Sequence, residues 1–192
     1  MTKPNNPPLE ALLAAVSGCT ACRDLPHGPR PILRVHGQAR LLIIGQAPGL
    51  RVHETKIPWN DRSGARLRHW LGLAAEVFYG PQVAIIPMGL CYPGSGPRGD
   101  LPPRRQCAPL WFAPLRAQLP AIELTILVGL HAARYHLACH TPLTTLVRGT
   151  KDPRYVVLPH PSGRNNAWFA RHPWFDTDCV PAVRQRIARI LG

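Results

Sequence analysis

Four short apolar runs punctuate the chain: Leu41-Leu42-Ile43-Ile44, Val83-Ala84-Ile85-Ile86, Leu124-Thr125-Ile126-Leu127-Val128-Gly129 and Tyr155-Val156-Val157-Leu158. Each is too short for a helix and is closed by glycine or proline, so each reads as a buried strand. Between them, apolar residues recur at helical spacing. Leu9, Leu12, Leu13 and Val16 predict a short amphipathic helix over 8–17, ended by Gly18. Leu67, Trp70, Leu71, Ala74 and Phe78 make an apolar stripe that predicts one helix over 63–78, with Asp61 or Ser63 as its N-cap. Further helices are predicted over 107–119, 130–139, 165–171 and 177–191. The last has Val180, Val183, Ile187 and Ile190 on its apolar face. Residues 140–150 read as a linker with a short helical turn, and the polar, proline-rich stretch 1–8 as disordered. Strands alternating with helices predict an α/β fold with a parallel sheet and right-handed crossovers. The 192 residues suit a single domain, 1–192.

The odd residues cluster at the strand ends. Gly45-Gln46-Ala47-Pro48-Gly49, Pro87-Met88-Gly89, Gly129-Leu130-His131 and His160-Pro161-Ser162 each follow the carboxyl end of a predicted strand. In open α/β sheets that edge is where ligands bind. Two glycines and a proline after the first strand make a tight turn whose backbone can approach a ligand. Pro58-Trp59-Asn60-Asp61 adds an aromatic face and a carboxylate just ahead of a helix. Together these parts suit a pocket for a flat, polar ring. The alternative is an ordinary strand-turn-helix connection around a core tryptophan.

Charge changes the picture. The formal net charge is +13, and all but three of the 23 basic residues are arginine. Arginines neutralise phosphates and bind them bidentately, so a nucleic-acid partner is expected, although a bland basic surface gives the same count. No run of 18 apolar residues predicts a membrane span, and the N-terminus has no signal-peptide core. A cytoplasmic protein is expected, in which six cysteines are reduced, metal-bound or catalytic rather than disulfide-bonded. Cys19-Thr20-Ala21-Cys22 is a ligand or redox pair. Cys91 and Cys107 bound a long loop rich in Gly, Pro and Arg. Four thiolates can hold zinc or a four-iron cluster. The wide second pair suits the larger cluster, while Cys139 and Cys179 read as core cysteines.

These residues resemble the uracil-DNA glycosylase superfamily, and most closely its iron–sulfur class, family four. Gly45-Gln46-Ala47-Pro48-Gly49 followed by Ile57-Pro58-Trp59-Asn60-Asp61-Arg62-Ser63-Gly64 is similar to that class's first motif. His160-Pro161-Ser162 is similar to its second, and Cys19, Cys22, Cys91 and Cys107 match its cluster ligands. The resemblance covers about residues 15–190. It implies a three-layer α/β/α fold with a central four-stranded parallel sheet, and a monomer that hydrolyses the N-glycosidic bond of a flipped uracil or other deaminated base in DNA. The implied base pocket is Gly45, Gln46, Ala47, Trp59, Pro87 and His160. Trp59 would stack on the base, and His160 would donate to the leaving base with the N–H groups of Gln46 and Ala47. Asp61 would orient water or stabilise the sugar cation, unless it only caps the helix. Ser162, Gly163, Arg164 and Asn165 would press on the DNA. The implied 4Fe–4S cluster is structural, with zinc as the alternative.

Two departures stand out. Gln46 occupies a position where that class carries glutamate, and an amide cannot act as a base. Pro87 occupies the position of the asparagine that reads the uracil edge, and proline offers only a carbonyl. An altered base preference is therefore expected. Two other readings are a non-catalytic damaged-base binder and an iron–sulfur redox-responsive DNA-binding protein.

Overall fold

The computed structural model describes residues 8–97 and 99–192; the disorder expected over 1–8 falls, but for Pro8, outside them. Four strands form one parallel sheet: β1 (Leu41–Ile44), β2 (Val83–Ile85), β5 (Leu124–Val128) and β6 (Tyr155–Leu158), in the order β2-β1-β5-β6. All residues of β1, β2 and β5 are buried, as expected of strands covered by helices on both faces. Register is fixed by pairs such as Leu42 with Ala84 and Thr125, and Ile126 with Val156. The edge at β2 is covered by an irregular segment, where Arg34 exchanges backbone hydrogen bonds with Ile85.

Between β1 and β2 lie α2 (Leu50–Thr55), α3 (Arg62–Leu71) and α4 (Ala75–Phe78). The single helix expected over 63–78 is thus two. Gly72 takes a left-handed backbone at φ 66° and stops α3; the chain then restarts so that Phe78 still reaches the core. The α2 turn was not apparent, because Leu50-Arg51-Val52-His53 buries only its third and fourth residues. Of the two proposed caps, Asp61 is the one used: its Oδ1 accepts from Gly64 N at 2.7 Å.

N-terminal α1 (Leu9–Ser17) packs against α5 (Cys107–Ala117), which follows the 92–106 loop. Inside that loop β3 (Ser95–Gly96) and β4 (Gly99–Asp100) form a small antiparallel hairpin. Helix α6 (Leu130–Leu137) covers β5, and α7 (Leu143–Arg148), the turn expected in 140–150, covers β6. A 3-10 turn (Gly163–Asn165) leads into α8 (Asn166–Arg171), and a π-helical turn (Phe175–Cys179) leads into α9 (Val180–Leu191). Helix α9 packs on α3 and reaches β1. Val180, Val183 and Ile187 are buried as the periodicity required, while Ile190 lies at the edge of the core.

The strand order places the site. From β1 the chain moves outward to β2, then returns past β1 to β5 and β6. The direction of winding therefore reverses between β1 and β5, and at such a reversal the connections diverge and leave a crevice at the carboxyl ends of the strands.

Candidate active site

That crevice holds a cavity of about 460 Å³, within the usual range for small-ligand sites. The turn after β1 supplies Gly45 to Gly49. The segment before α3 supplies Trp59 and Asp61, the end of β2 supplies Pro87, and the loop after β6 supplies His160, Ser162, Arg164 and Asn165. Residues more than one hundred positions apart in sequence thus share one wall. Of the residues predicted for base and DNA binding, only Gly163 is not part of the lining; it opens the 3-10 turn that carries Arg164 at the cavity rim.

Trp59 is the most constrained residue of the site. Its backbone is left-handed at φ 57°, a conformation that strains a bulky non-glycine residue by about 1–3 kcal/mol. Three neighbours hold it there. Arg68 Nη1 donates to its carbonyl at 3.3 Å. Gly64 leaves room for that carbonyl, since a Cβ on Gly64 would collide with it. Gly45 leaves room for the indole, because a Cβ there would stand 2.6 Å from Trp59 Cζ2. The missing side chain at Gly45 is therefore used to seat the tryptophan rather than to admit ligand. The indole then faces His160, with ring centroids 5.7 Å apart and planes tilted by 36°.

His160 is held from both ends. Its Nδ1 accepts from the Ser162 backbone N–H at 3.3 Å, and its carbonyl accepts from Asn165 Nδ2 at 2.7 Å. A neutral imidazole accepting at Nδ1 carries its proton on Nε2, so a donor is available to the cavity. Burial lowers the His160 pKa, with Asp61 and Asp100 opposing and Arg164 assisting. The ring is therefore neutral at physiological pH.

The hairpin contributes residues that the sequence did not reveal. Asp100 and Leu101 both line the cavity. Gln46 Nε2 donates to the Leu101 carbonyl at 3.3 Å, and the Arg164 guanidinium lies directly against Gly99, which has φ 96°. The G-P-R-G turn after Ser95 signals a hairpin, but nothing in the sequence says that it folds over a crevice built from other loops.

Several arginines turn inward. Arg66 Nη1 donates to Asn166 Oδ1 at 3.0 Å, and its guanidinium lies over the Phe169 ring at 4.6 Å. Arg68 bonds Trp59 O and Tyr79 Oη, and Arg184 holds the last carbonyls of α3. Part of the arginine excess is thus internal scaffolding rather than phosphate-binding surface.

A second, smaller cavity is ringed by Cys19, Cys22, Cys91 and Cys107. Among the described residues no group of three or more His, Cys, Asp or Glu is arranged to hold a metal ion. The sulfurs nevertheless share one feature: each faces an N–H donor. Trp111 Nε1 donates to Cys19 at 3.3 Å, Gln106 Nε2 to Cys22 at 3.2 Å and Leu90 N to Cys107 at 3.2 Å, and the Arg30 backbone bonds Cys91. Burial pushes the free Cys91 thiol up to about 11, and raises Cys22 and Cys107 as well. A bound cation reverses that tendency by favouring thiolate. Cys139 and Cys179 lie elsewhere, each packed at the edge of the core.

Residues 34–184 match the family model of the uracil DNA glycosylase superfamily. The match covers most of the chain and takes in the larger cavity's lining apart from Ile32, and the protein belongs to that superfamily. No helix among the described residues is long and apolar enough to cross a membrane.

Proposed function

We propose that the protein is a DNA glycosylase that hydrolyses the N-glycosidic bond of a deaminated or otherwise damaged base flipped out of DNA, leaving an abasic site. The observation that carries this reading is the Trp59–His160 pair: a stacking face and a neutral N–H donor on one cavity wall. Flipping a base costs a few kcal/mol of stacking and pairing, and stacking on an aromatic side chain offsets about 1–3 kcal/mol of it. As the glycosidic bond breaks, its electron pair moves onto the base. His160 Nε2–H stabilises that charge, acting with the backbone N–H groups of Gln46 and Ala47. Asp61 caps α3 and places a negative charge beside the sugar, which becomes oxocarbenium-like. Ser162, Gly163, Arg164 and Asn165 press on the DNA backbone. Pro87 stands where the resembled class carries the asparagine that reads uracil, so the preferred base need not be uracil.

The four-cysteine ring is proposed to hold a 4Fe–4S cluster in the manner of the family-four class. A mononuclear zinc needs every sulfur at about 2.3 Å from one centre. A four-iron cluster would be held by the same four thiolates, and the wide sequence spacing of Cys91 and Cys107 suits the larger group. Such a cluster supplies a rigid cross-link, and the four N–H groups facing the sulfurs offset thiolate charge. Cys19 and Cys22 would thereby be tied to both ends of the 92–106 loop, which carries the hairpin. Free thiols throughout suit work in the cytoplasm, and the protein is expected to act as a monomer.

The test is a panel of oligonucleotides carrying uracil, hypoxanthine, xanthine or mismatched thymine, scored for abasic sites. Release of at least one base supports the reading. Selective binding of one lesion without release favours a damaged-base binder on the same fold.

A further inference from the structure

The reaction needs a water delivered to C1′ of the sugar, and the usual carboxylate after β1 is absent here: residue 46 is glutamine. We infer that Asp100, carried on the β3–β4 hairpin, is the carboxylate that holds and deprotonates the attacking water, and that Gln46 positions it.

Three observations support this. Asp100 lines the same cavity as Trp59 and His160, and its charge is felt at His160. Its two oxygens are differentiated. Oδ1 accepts from Ser95 Oγ at 3.1 Å, and Ser95 Oγ lies 2.6 Å from Tyr92 Oη. A serine hydroxyl has one proton, so with that proton given to Asp100, Tyr92 is the donor to Ser95. This directed chain fixes the carboxylate and leaves Oδ2 next to the Gly49 turn, where a Cβ on Gly49 would stand 3.3 Å from it. The other acidic group on the cavity wall, Asp61, has an oxygen committed to Gly64 N at 2.7 Å as a helix cap.

The third observation is how the hairpin is fastened. Gln46 Nε2 holds the carbonyl of Leu101, the residue after Asp100, and Leu101 N donates to Gly94 O at 2.9 Å. The amide at 46 cannot take a proton, but it does what a carboxylate there cannot: it donates. The base has in effect moved from the β1 turn to the hairpin, and the side chain left at 46 anchors the hairpin over the cavity.

The step balances as a hydrolysis. Water oxygen bonds to C1′ while the C1′–N bond breaks and its electron pair leaves with the base. Asp100 Oδ2 takes the water proton and afterwards releases it to solvent, and the departing base anion acquires a proton. This inference rests on the glycosylase reading.

The experiment compares single-turnover base release by wild type and Asp100→Asn, together with affinity for abasic-site DNA and formate rescue of Asp100→Ala. Losing a general base lowers rate by about 10²–10⁴-fold. Asp100→Asn keeps the Ser95 contact and should slow release by at least ~10²-fold, with abasic-site affinity changed by less than about threefold. Formate, a small carboxylate, should restore Asp100→Ala by tenfold or more, which a merely structural role would not allow. Release by Asp100→Asn within threefold of wild type overturns the inference while leaving the glycosylase reading intact. So does a loss in both variants that formate does not relieve and that affinity follows. Wild type that releases no base from any oligonucleotide overturns both, and is seen directly in the wild-type arm.

Discussion

The indole of Trp59 faces the imidazole of His160 across 5.7 Å, although one precedes α3 and the other follows β6. The pair exists because two strands of a parallel sheet end at the same edge. In the proposed chemistry the two rings act at different moments. Trp59→Ala should weaken binding of the preferred lesion by the stacking contribution, about 1–3 kcal/mol, and leave affinity for undamaged DNA nearly unchanged. His160→Ala should spare binding and slow base release by about 10²–10³-fold, as loss of one donor to a developing anion does. Equilibrium binding and single-turnover rates on one oligonucleotide separate the two.

Gly64 makes a sharper probe, because it touches no ligand. A Cβ there runs into the Trp59 carbonyl, so Gly64→Ala must move the Trp59 backbone or the start of α3. The expected result is a folded protein, destabilised by about 1–3 kcal/mol by the disturbed backbone, with lesion binding weakened as far as in Trp59→Ala. Thermal unfolding and lesion binding on the same sample check it. Unchanged lesion binding would show that the indole's seat does not matter.

The arginines divide into two kinds. Arg68 is committed to Trp59 O and Tyr79 Oη, whereas Arg164 stands exposed at the rim against Gly99. Arg164→Ala should reduce the slope of log affinity against log salt by about one phosphate contact. Arg68→Met should leave that slope alone and lower stability instead. A salt titration of DNA binding distinguishes them.

Acid sensitivity should come from histidines that folding desolvates. Burial pushes His136 down to about 4, and its Nε2, shielded from solvent beside Phe112, has no hydrogen-bond partner among the described residues. His53 and His160 are lowered for the same reason. An unfolded histidine binds its proton below about 6.5. Between that pH and the depressed folded value the unfolded state holds more protons, so stability is full above pH ~6.5 and falls as pH drops toward 4. For His136 the loss approaches ~3 kcal/mol. Denaturant titrations at pH 7 and 4.5 should show a smaller drop for His136→Phe than for wild type.

How much of this was legible in the sequence follows from the range of each interaction. The strands were readable because covered β residues are continuously apolar, as in Leu41–Ile44. The ends of α3 were not, because Gly72 breaks the helix without interrupting the apolar spacing that continues to Phe78. Trp59, His160, Gln46 and Asp61 were identifiable because each sits where a strand or helix terminates. Asp100 was not, since its place over the cavity depends on a hairpin that Gln46 fastens from a distant segment and that Arg164 lies against. The inward turn of Arg66, Arg68 and Arg184 was not legible either, because composition counts charge and is blind to direction.

Metal content is the next test. Anaerobically purified protein should be brown, with about four irons per chain if the four cysteines hold one cluster. Cys91→Ser should lose the colour and loosen the 92–106 loop to proteolysis. Colourless protein with stoichiometric zinc would contradict the cluster.

The most direct measurement of the central claim is single-turnover release of the preferred base from the oligonucleotide panel, read as abasic sites, for wild type beside His160→Ala. The account predicts release by wild type from at least one deaminated base, and a rate about 10²–10³-fold lower for His160→Ala at similar affinity. Wild type without release from any substrate, or His160→Ala as fast as wild type, would contradict it.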